Sequence, residues 1–596
     1  MKYLNGNITP DNLKRLSTVE LSRLCAEIRR FLIKTVSETG GHLASNLGTV
    51  ELIVALHRVY SSPRDKFVFD VGHQAYTHKL LTGRLERFNT LREENGLSGF
   101  PRPSESEHDA FIGGHSGISV SAALGLAEAM RLSGDKHKVI AVAGDGAFTN
   151  GGVYEGLNNA GKSRANILII LNNNEMSISR SAGAVSAYLS RLRATRKYYR
   201  AKLNVKGFLG KTQAGEAVKT AISRTKRIVK NVIYQGNLFE NLGFKYYGSV
   251  DGHNLTELTE VLELAKMIDS PCLIHVKTKK GKGYKPAEHN SGEYHGLDKV
   301  KSLRGRETFS EVFGREILAL GKNDEKICLI SAAMKHATGC NYFNNALPER
   351  FFDCGIAESH AVTFACGLAA QGMLPVFAVY STFSQRCFDR LIHDAAIENL
   401  RVVLAIDRAG VVGEDGETHQ GVFDVAMLSL IPNFTVFSPA SPDELRDCLR
   451  RALYEVSGPA AVRYPRGSIP HGRSLRGKIG NDFRLFKKRG NKKLIITYGR
   501  TVHRLVGGEA DTLQLIKIHP LSDGIIDVIK GYKDVVFVEE GIKRGGVGEF
   551  VASELLARGW KGKYAIRAYN GFVPAADTEK QLSLILSADT GENEQT

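Results

Sequence analysis

Apolar runs rich in β-branched residues recur along the chain, separated by stretches with helical periodicity. Residues 138–143 (KVIAVA), 167–171 (ILIIL) and 402–406 (VVLAI) are nearly unbroken apolar runs. That is the pattern of strands buried on both faces of a parallel sheet. Between them lie segments such as 119–131, dominated by Ala, Leu and Met, which read as helices. Strand and helix signals in alternation predict an α/β fold class, with mostly parallel sheets flanked by helices. Two stretches interrupt the alternation. Residues 296–306 (GLDKVKSLRGR) are charged and aperiodic, and residues 467–492 are rich in Gly, Lys and Arg. They divide the chain into three expected domains, 1–300, 307–466 and 485–596.

Length and composition agree with that division. A chain of 596 residues is too long for one hydrophobic core. Its 42% hydrophobic and 24% charged residues are ordinary for a soluble globular protein. No run of eighteen apolar residues suggests a membrane span, and the first residues, MKYLNGNITPDNLKRLS, lack the apolar segment of a signal peptide. The eight cysteines are scattered, with no C-x-x-C pair, so they read as reduced core thiols. The expected compartment is the cytoplasm, with no membrane partner.

Charge changes the picture in one place. The net charge is +17, and residues 191–230 hold thirteen Lys or Arg against one acid, Glu216. This segment reads as a solvated basic insertion over 180–235. A nucleic-acid patch is the competing reading, but no recognisable RNA- or DNA-binding motif accompanies the charge, and no nucleic-acid partner is expected.

The strongest chemical signal is Gly144-Asp145-Gly146 followed by Asn172-Asn173-Asn174. Each cluster ends a predicted strand, and a crossover helix fits between them. Consecutive parallel strands put their C-terminal ends side by side, at the edge where α/β sheets bind ligands. A carboxylate and an amide oxygen placed there suit a hard cation that shares its coordination with phosphate oxygens. The flanking glycines permit a tight turn and close approach of backbone N–H groups to an anion. The arrangement resembles the thiamine-diphosphate signature of transketolases and pyruvate decarboxylases. That resemblance implies thiamine diphosphate and Mg2+ as cofactors, with Asp145, Asn174 and the Met176 carbonyl as metal ligands. Such a cofactor also needs a carboxylic acid to promote its ionisation, in a partly apolar setting that tunes proton exchange. Glu358 is the candidate, between a predicted strand and a small-residue helix over 361–370.

Longer stretches narrow the resemblance. Gly41-His42-Leu43-Ala44-Ser45, residues 70–76 (DVGHQAY), Gly114-His115-Ser116, residues 250–253 (VDGH), 279–284 (KKGKGY), 356–361 (IAESHA), 380–383 (YSTF), 415–421 (DGETHQG) and 463–467 (RYPRG) resemble the family of 1-deoxy-D-xylulose-5-phosphate synthases, in the family's order. The resemblance implies a homodimeric transferase with the transketolase-like fold. It would condense pyruvate with glyceraldehyde 3-phosphate, with loss of carbon dioxide, and feed isoprenoid, thiamine and pyridoxal synthesis. It further implies cofactor contacts at His73, Gly114, His115, Ser116, Gly146, Ala147, Asn174, Tyr284, Glu358 and Phe383. Proton relays fall on His42, His73, His295 and His419, with Asp415 orienting His419. Tyr380, Arg386, Arg408 and Arg466 are the expected substrate contacts, the last two for a phosphate. The alternative is a transketolase-like relative with a different ketol donor or aldehyde acceptor.

Several positions depart from the family's pattern. Gly117-Ile118-Ser119 stands where Ser-Thr-Ser is usual, Asn150 replaces an alanine, and Ser359 replaces a glutamine. The third domain departs most, and its Gly545-Gly546-Val547-Gly548 reads as a turn and helix start rather than a phosphate loop.

Overall fold

The computed structural model describes residues 1–6, 8–174, 183–193, 237–297, 307–468, 481–487 and 492–586. Met176 and most of the basic segment 180–235 lie outside the described residues; helix Ala184–Arg193 is the part of that segment described.

The chain forms two compact units. The first comprises Met1–Leu91 and Leu97–Val300, and the second Arg92–Gly96 and Lys301–Thr596. In the first unit, strands β1 (Lys66–Phe69), β2 (Val139–Gly144), β3 (Ile167–Asn173), β4 (Lys245–Asp251) and β5 (Cys272–Lys277) make a parallel sheet in the order β1-β2-β3-β5-β4. Every residue of β3 is buried, as expected of a strand covered on both faces. Helix Ser119–Leu132 precedes β2, and helix Gly151–Ala160 connects β2 to β3.

The second unit holds two sheets. One contains β6 (Ile327–Ser331), β7 (Phe351–Asp353), β8 (Leu374–Tyr380), β9 (Val403–Asp407), β10 (Thr435–Phe437) and β11 (Ala460–Arg463). The other contains β12 (Phe483–Phe486), β13 (Lys493–Tyr498), β14 (Asp511–Leu515), β16 (Asp534–Ile542) and β17 (Lys563–Tyr569). Between β14 and β16 the chain sends β15 (Lys517–His519) back to the earlier sheet, where it pairs antiparallel with β10. Three sheets therefore stand where three domains are expected, but the last two belong to one unit. Their apolar layers are continuous: Ile330, Phe377 and Leu404 of one sheet and Ile496, Leu513 and Phe537 of the other fall in a single buried cluster.

Helix Glu358–Ala370 begins three residues ahead of the segment expected from its small residues. Its N-cap, Ala357, makes no side-chain cap, which leaves the first-turn acid Glu358 as the local start signal. Among the described residues no helix is long and apolar enough to cross a membrane.

Candidate active site

In the first unit, the register pairs Gly144 with Asn172, and the next amide, Asp145 N–H, donates to the Asn172 carbonyl at 3.0 Å. The ends of β2 and β3 thus present Asp145 and the asparagines side by side, as the spacing predicts. The three amides are not equivalent. Asn172 Oδ1 accepts from Thr278 Oγ1 at 2.7 Å, which commits that side chain to the sheet. The Asn174 backbone N–H instead donates to Asp145. Asp145 is 7% exposed. Burial pushes its carboxyl above the usual range, opposed by Lys280 and by the N–H groups of Asn174 and Gly146. Lys280 is driven down by its own burial, opposed by Asp145. A desolvated carboxylate favours a nearby cation, so the donor set fits a hard divalent ion. Among the described residues no group of three or more His, Cys, Asp or Glu is arranged to hold a metal ion by itself. An ion at Asp145 would therefore complete its shell with amide, carbonyl, phosphate and water oxygens.

Beside these residues is an imidazole cluster. Ring centroids of His42 and His73 are 5.4 Å apart, those of His42 and His295 5.7 Å, and those of His73 and His295 5.2 Å. The buried Asn46 holds two of them in place: its Nδ2 donates to the carbonyls of His42 (2.6 Å) and His73 (2.7 Å). Burial, reinforced by neighbouring imidazoles and Lys280, keeps His73 and His295 well below 6.5. Both are neutral near pH 7 and able to accept or donate a proton.

The Gly114-His115-Ser116 loop is organised by Asp70, which is 1% exposed. The Asp70 carboxylate accepts from Ser116 Oγ (2.9 Å), Gly117 N–H (2.9 Å) and Ser119 N–H (3.1 Å). It thereby satisfies the start of helix Ser119–Leu132. The Ser116 hydroxyl donates to this carboxylate. Gly117 lies at φ +83, and a Cβ there would overlap Asn150 Oδ1; that same oxygen accepts from Gly152 N–H at 2.9 Å and caps helix Gly151–Ala160. The two departures from the family pattern are thus in contact. Tyr284 begins the short helix Lys285–His289 and packs edge-on against Tyr294 at 5.7 Å. His253 is a brace: its ring accepts from Lys279 N–H at 2.9 Å and meets Glu51 at 3.0 Å.

In the second unit, Glu358 is the first residue of its helix and 3% exposed. Arg386, expected among substrate contacts, lies within reach of it, with NH1 3.3 Å from Glu358 Oε2. Tyr380 and Phe383 are stacked at 5.6 Å, and Phe383 meets the His419 ring edge-on at 5.7 Å. The Arg408 guanidinium lies 3.8 Å over the Tyr380 ring, a cation–π contact, and its backbone sits at φ +62. Burial pushes Tyr380 up to about 12 and Asp407 up to about 6.

Asp415, the expected orienting partner of His419, and the His419 ring each have other neighbours as well. His419 Nδ1 is 2.9 Å from Thr418 Oγ1, while Asp415 Oδ1 accepts from Arg92 at 2.6 Å and Asp415 Oδ2 is 3.7 Å from Arg466. Arg466 NH1 also donates to the Val412 carbonyl at 3.1 Å. Arg463 is structural: buried, it pairs with Asp424 at 2.9 Å and lies 5.3 Å over the Tyr498 ring. The glycine run at 545–548 proves to be a helix start, because Val547 and Gly548 N–H groups are taken by Glu539 at 3.1 and 3.2 Å.

Sequence reasoning missed Arg92, Lys280, Asp70, Asn46 and Thr418. Of these, Lys280, Asp70 and Thr418 lie in stretches singled out beforehand.

Residues 307–471 match the pyrimidine-binding domain of transketolase, which places the chain among transketolase-like enzymes. Residues 4–278 match the 1-deoxy-D-xylulose-5-phosphate synthase family. The synthase of Clostridium acetobutylicum is 45% identical over 91% of this chain and 91% of its own length. That of Thermomicrobium roseum is 46% identical over 94% of this chain and 91% of its own. A solved transketolase from Campylobacter jejuni is 18% identical, covers 96% of this chain and 99% of its own, and has a TM-score of 0.41. On the sequence relatives, the chain belongs to the 1-deoxy-D-xylulose-5-phosphate synthase family.

Proposed function

We propose that the chain condenses pyruvate with glyceraldehyde 3-phosphate to give 1-deoxy-D-xylulose 5-phosphate and carbon dioxide, using thiamine diphosphate and Mg2+. Family membership supports the reaction, and the observation that carries the site is the desolvated Asp145 carboxylate beside Asn174 at the ends of two parallel strands. Bound thiamine diphosphate supplies the nucleophilic carbon and the electron sink. Asp145 and Asn174 hold the metal through oxygen, with the Met176 carbonyl assigned by resemblance. Gly114, His115, Ser116, Gly146, Ala147 and Tyr284 line the cofactor. Asp70 fixes the Ser116 hydroxyl, so that residue's contribution falls to its backbone and remaining lone pair.

Glu358 holds the proton exchanged with the pyrimidine, and Phe383 offers a ring for stacking. His42, His73, His295 and His419 move protons to and from alkoxide oxygens. Neutral His73 and His295 place no second positive charge beside Lys280 at rest, and a proton taken up by either ring creates one, which favours passing it on. Arg408 and Arg466 bind the aldehyde's phosphate, Tyr380 and Arg386 line the substrate pocket, and Asp415 anchors Arg466. A homodimer is proposed on the resemblance.

Incubation with labelled pyruvate and glyceraldehyde 3-phosphate, followed by mass spectrometry, tests the reading. Release of labelled carbon dioxide and a pentulose phosphate carrying two pyruvate carbons is expected. Turnover of ketose phosphate donors without carbon dioxide would overturn it in favour of ketol transfer.

A further inference from the structure

Arg408, Asp415 and His419 all belong to one loop, residues 408–422, that leaves β9. Its base is closed by Gly410 N–H to the Gly421 carbonyl (2.8 Å) and Gly421 N–H to the Gly410 carbonyl (2.7 Å). Inside it, Gln420 Oε1 accepts from Val412 N–H at 2.6 Å. Arg92, Thr382, Tyr464 and Arg466 add contacts from the rest of the unit, and the C-terminal sheet holds the loop near its base. Glu540, on β16, accepts from Val411 N–H at 2.7 Å, and Arg500 donates to the Val411 carbonyl at 2.7 Å. Arg500 and Glu540 are themselves paired twice, with Nε to Oε2 at 2.9 Å. Ile542 N–H adds a bond to the Val422 carbonyl at 2.9 Å. Val411 is fully buried and Glu540 is 4% exposed, so one ion pair satisfies both backbone groups of a residue that water does not reach. Gly410, at φ +81, is shaped to it: a Cβ there would overlap Glu540 Oε1.

We propose that Glu540 and Arg500 are positioning residues for the condensation, an ion pair on the C-terminal sheet that fixes the loop bearing Arg408, Asp415 and His419. The pair touches no reacting atom. It acts by denying the loop any alternative backbone pairing: with both groups of Val411 held, the segment cannot slide or peel without leaving a buried donor and acceptor unpaired. The C-terminal sheet, whose sequence departs most from the family pattern, then has a defined task in this chain. The catalytic consequence rests on the function proposed above; the structural one does not.

The test uses the full chain, with cofactor and Mg2+ present. Hydrogen exchange over residues 409–422 reads the loop directly, and steady-state kinetics read its consequence. Misplacement of a positioned group by about 1 Å can cost on the order of 100-fold. Glu540→Ala is therefore expected to raise loop exchange at least ~10-fold and to lower kcat/KM for glyceraldehyde 3-phosphate by roughly 30-fold. Thiamine diphosphate affinity should move by less than about threefold, since the diphosphate residues lie in the first unit. Glu540→Gln keeps an amide oxygen for Val411 N–H and should recover most of the loss. Adding Arg500→Ala to Glu540→Ala should cost little more, because the two act as one device. Unchanged exchange in Glu540→Ala, kinetics within about threefold of the parent, or a Glu540→Gln variant as poor as Glu540→Ala would each overturn the proposal. If Glu540→Ala does not fold, Arg500→Lys serves instead: it keeps the charge but loses the two-pronged reach, and loop exchange should rise. Exchange at the parent level in that variant counts against the proposal. A parent protein that exchanges normally but releases no carbon dioxide refutes the functional reading alone.

Discussion

The two units treat charge in opposite ways. Around Asp145 the first unit buries a carboxylate that faces the buried Lys280, and it surrounds that pair with neutral imidazoles. In the second unit the assigned ionic groups are already engaged: Glu358 with Arg386, Asp415 with Arg92 and Arg466, and Arg408 with the Tyr380 ring. On the function proposed above, the first arrangement is costly until a cation and an anion arrive. The second would be assembled in advance, so that its groups need little reordering when substrate binds. Binding and preorganisation are thus divided between different parts of one chain.

The largest test of this contrast removes the acid. Glu358→Ala should lower turnover by about 100- to 10,000-fold while diphosphate binding, read by titration, stays near the parent level. Loss of cofactor binding instead would mean that Glu358 holds the cofactor rather than activating it. Next is Asp145→Asn. Even outer-shell partners of a metal are worth roughly 10- to 100-fold in affinity, so removing this ligand should weaken Mg2+-dependent cofactor binding by at least ~100-fold. The cofactor-free protein should melt no lower than the parent, because a desolvated charge has been deleted. A clear drop in its melting point would show that the carboxylate is structural.

Arg92→Ala is expected to behave the other way. Its side chain is 5% exposed and leaves Asp415 with Arg466 at 3.7 Å. Removing one partner of a buried pair costs about 3 kcal/mol, less here because Asp415 is partly exposed. Denaturant unfolding should show the loss with or without cofactor.

The smallest effect is in pH dependence. His57, His73 and His295 are held well below 6.5, chiefly by burial. Below 6.5 the unfolded chain therefore binds more protons than the native one, so stability rises with pH through that window and levels off above it. Asp407 opposes this: raised from 3.8 to about 6, it contributes stability that declines as pH rises between those values. Glu539, raised to about 7, and Asp145, also raised, act in the same sense as Asp407, but His78, His108, His336 and His519 are lowered too. With seven imidazoles against three carboxyls among the described residues, the melting temperature should fall on acidification from pH 7 to 5. A rise would show that the imidazoles are not desolvated as described.

The parts of the site that could be read from sequence are those whose partners are near in the chain or fixed by strand order. Asp145 and Asn174 follow strands that are consecutive and parallel, so two local patterns determine a contact. Glu358 was legible for the same reason, as the junction of a strand and a helix. Arg92 was not, because it reaches Asp415 across 323 residues and nothing in its surroundings, REENG, announces a binding residue. The contact of Thr418 with His419 Nδ1 was not read either, since a carboxylate near a histidine draws attention before a neighbouring hydroxyl does. The return of β15 to the earlier sheet was equally invisible: three residues, Lys517–His519, carry too little periodicity to show which sheet they join. Local chemistry shows through sequence; the choice among distant partners does not.

The contact between Gly117 and Asn150 bears on how this chain can be altered. Relative to the family pattern, side-chain volume has moved from one position to the other: a serine has become glycine where an alanine has become asparagine. Reverting either position alone should fail, since a side chain at 117 meets Asn150 Oδ1, and an alanine at 150 removes the cap from helix Gly151–Ala160 while leaving a hollow over Gly117. Consensus substitution applied one site at a time would score both residues as defects. They are better treated as one unit, exchanged together or left alone.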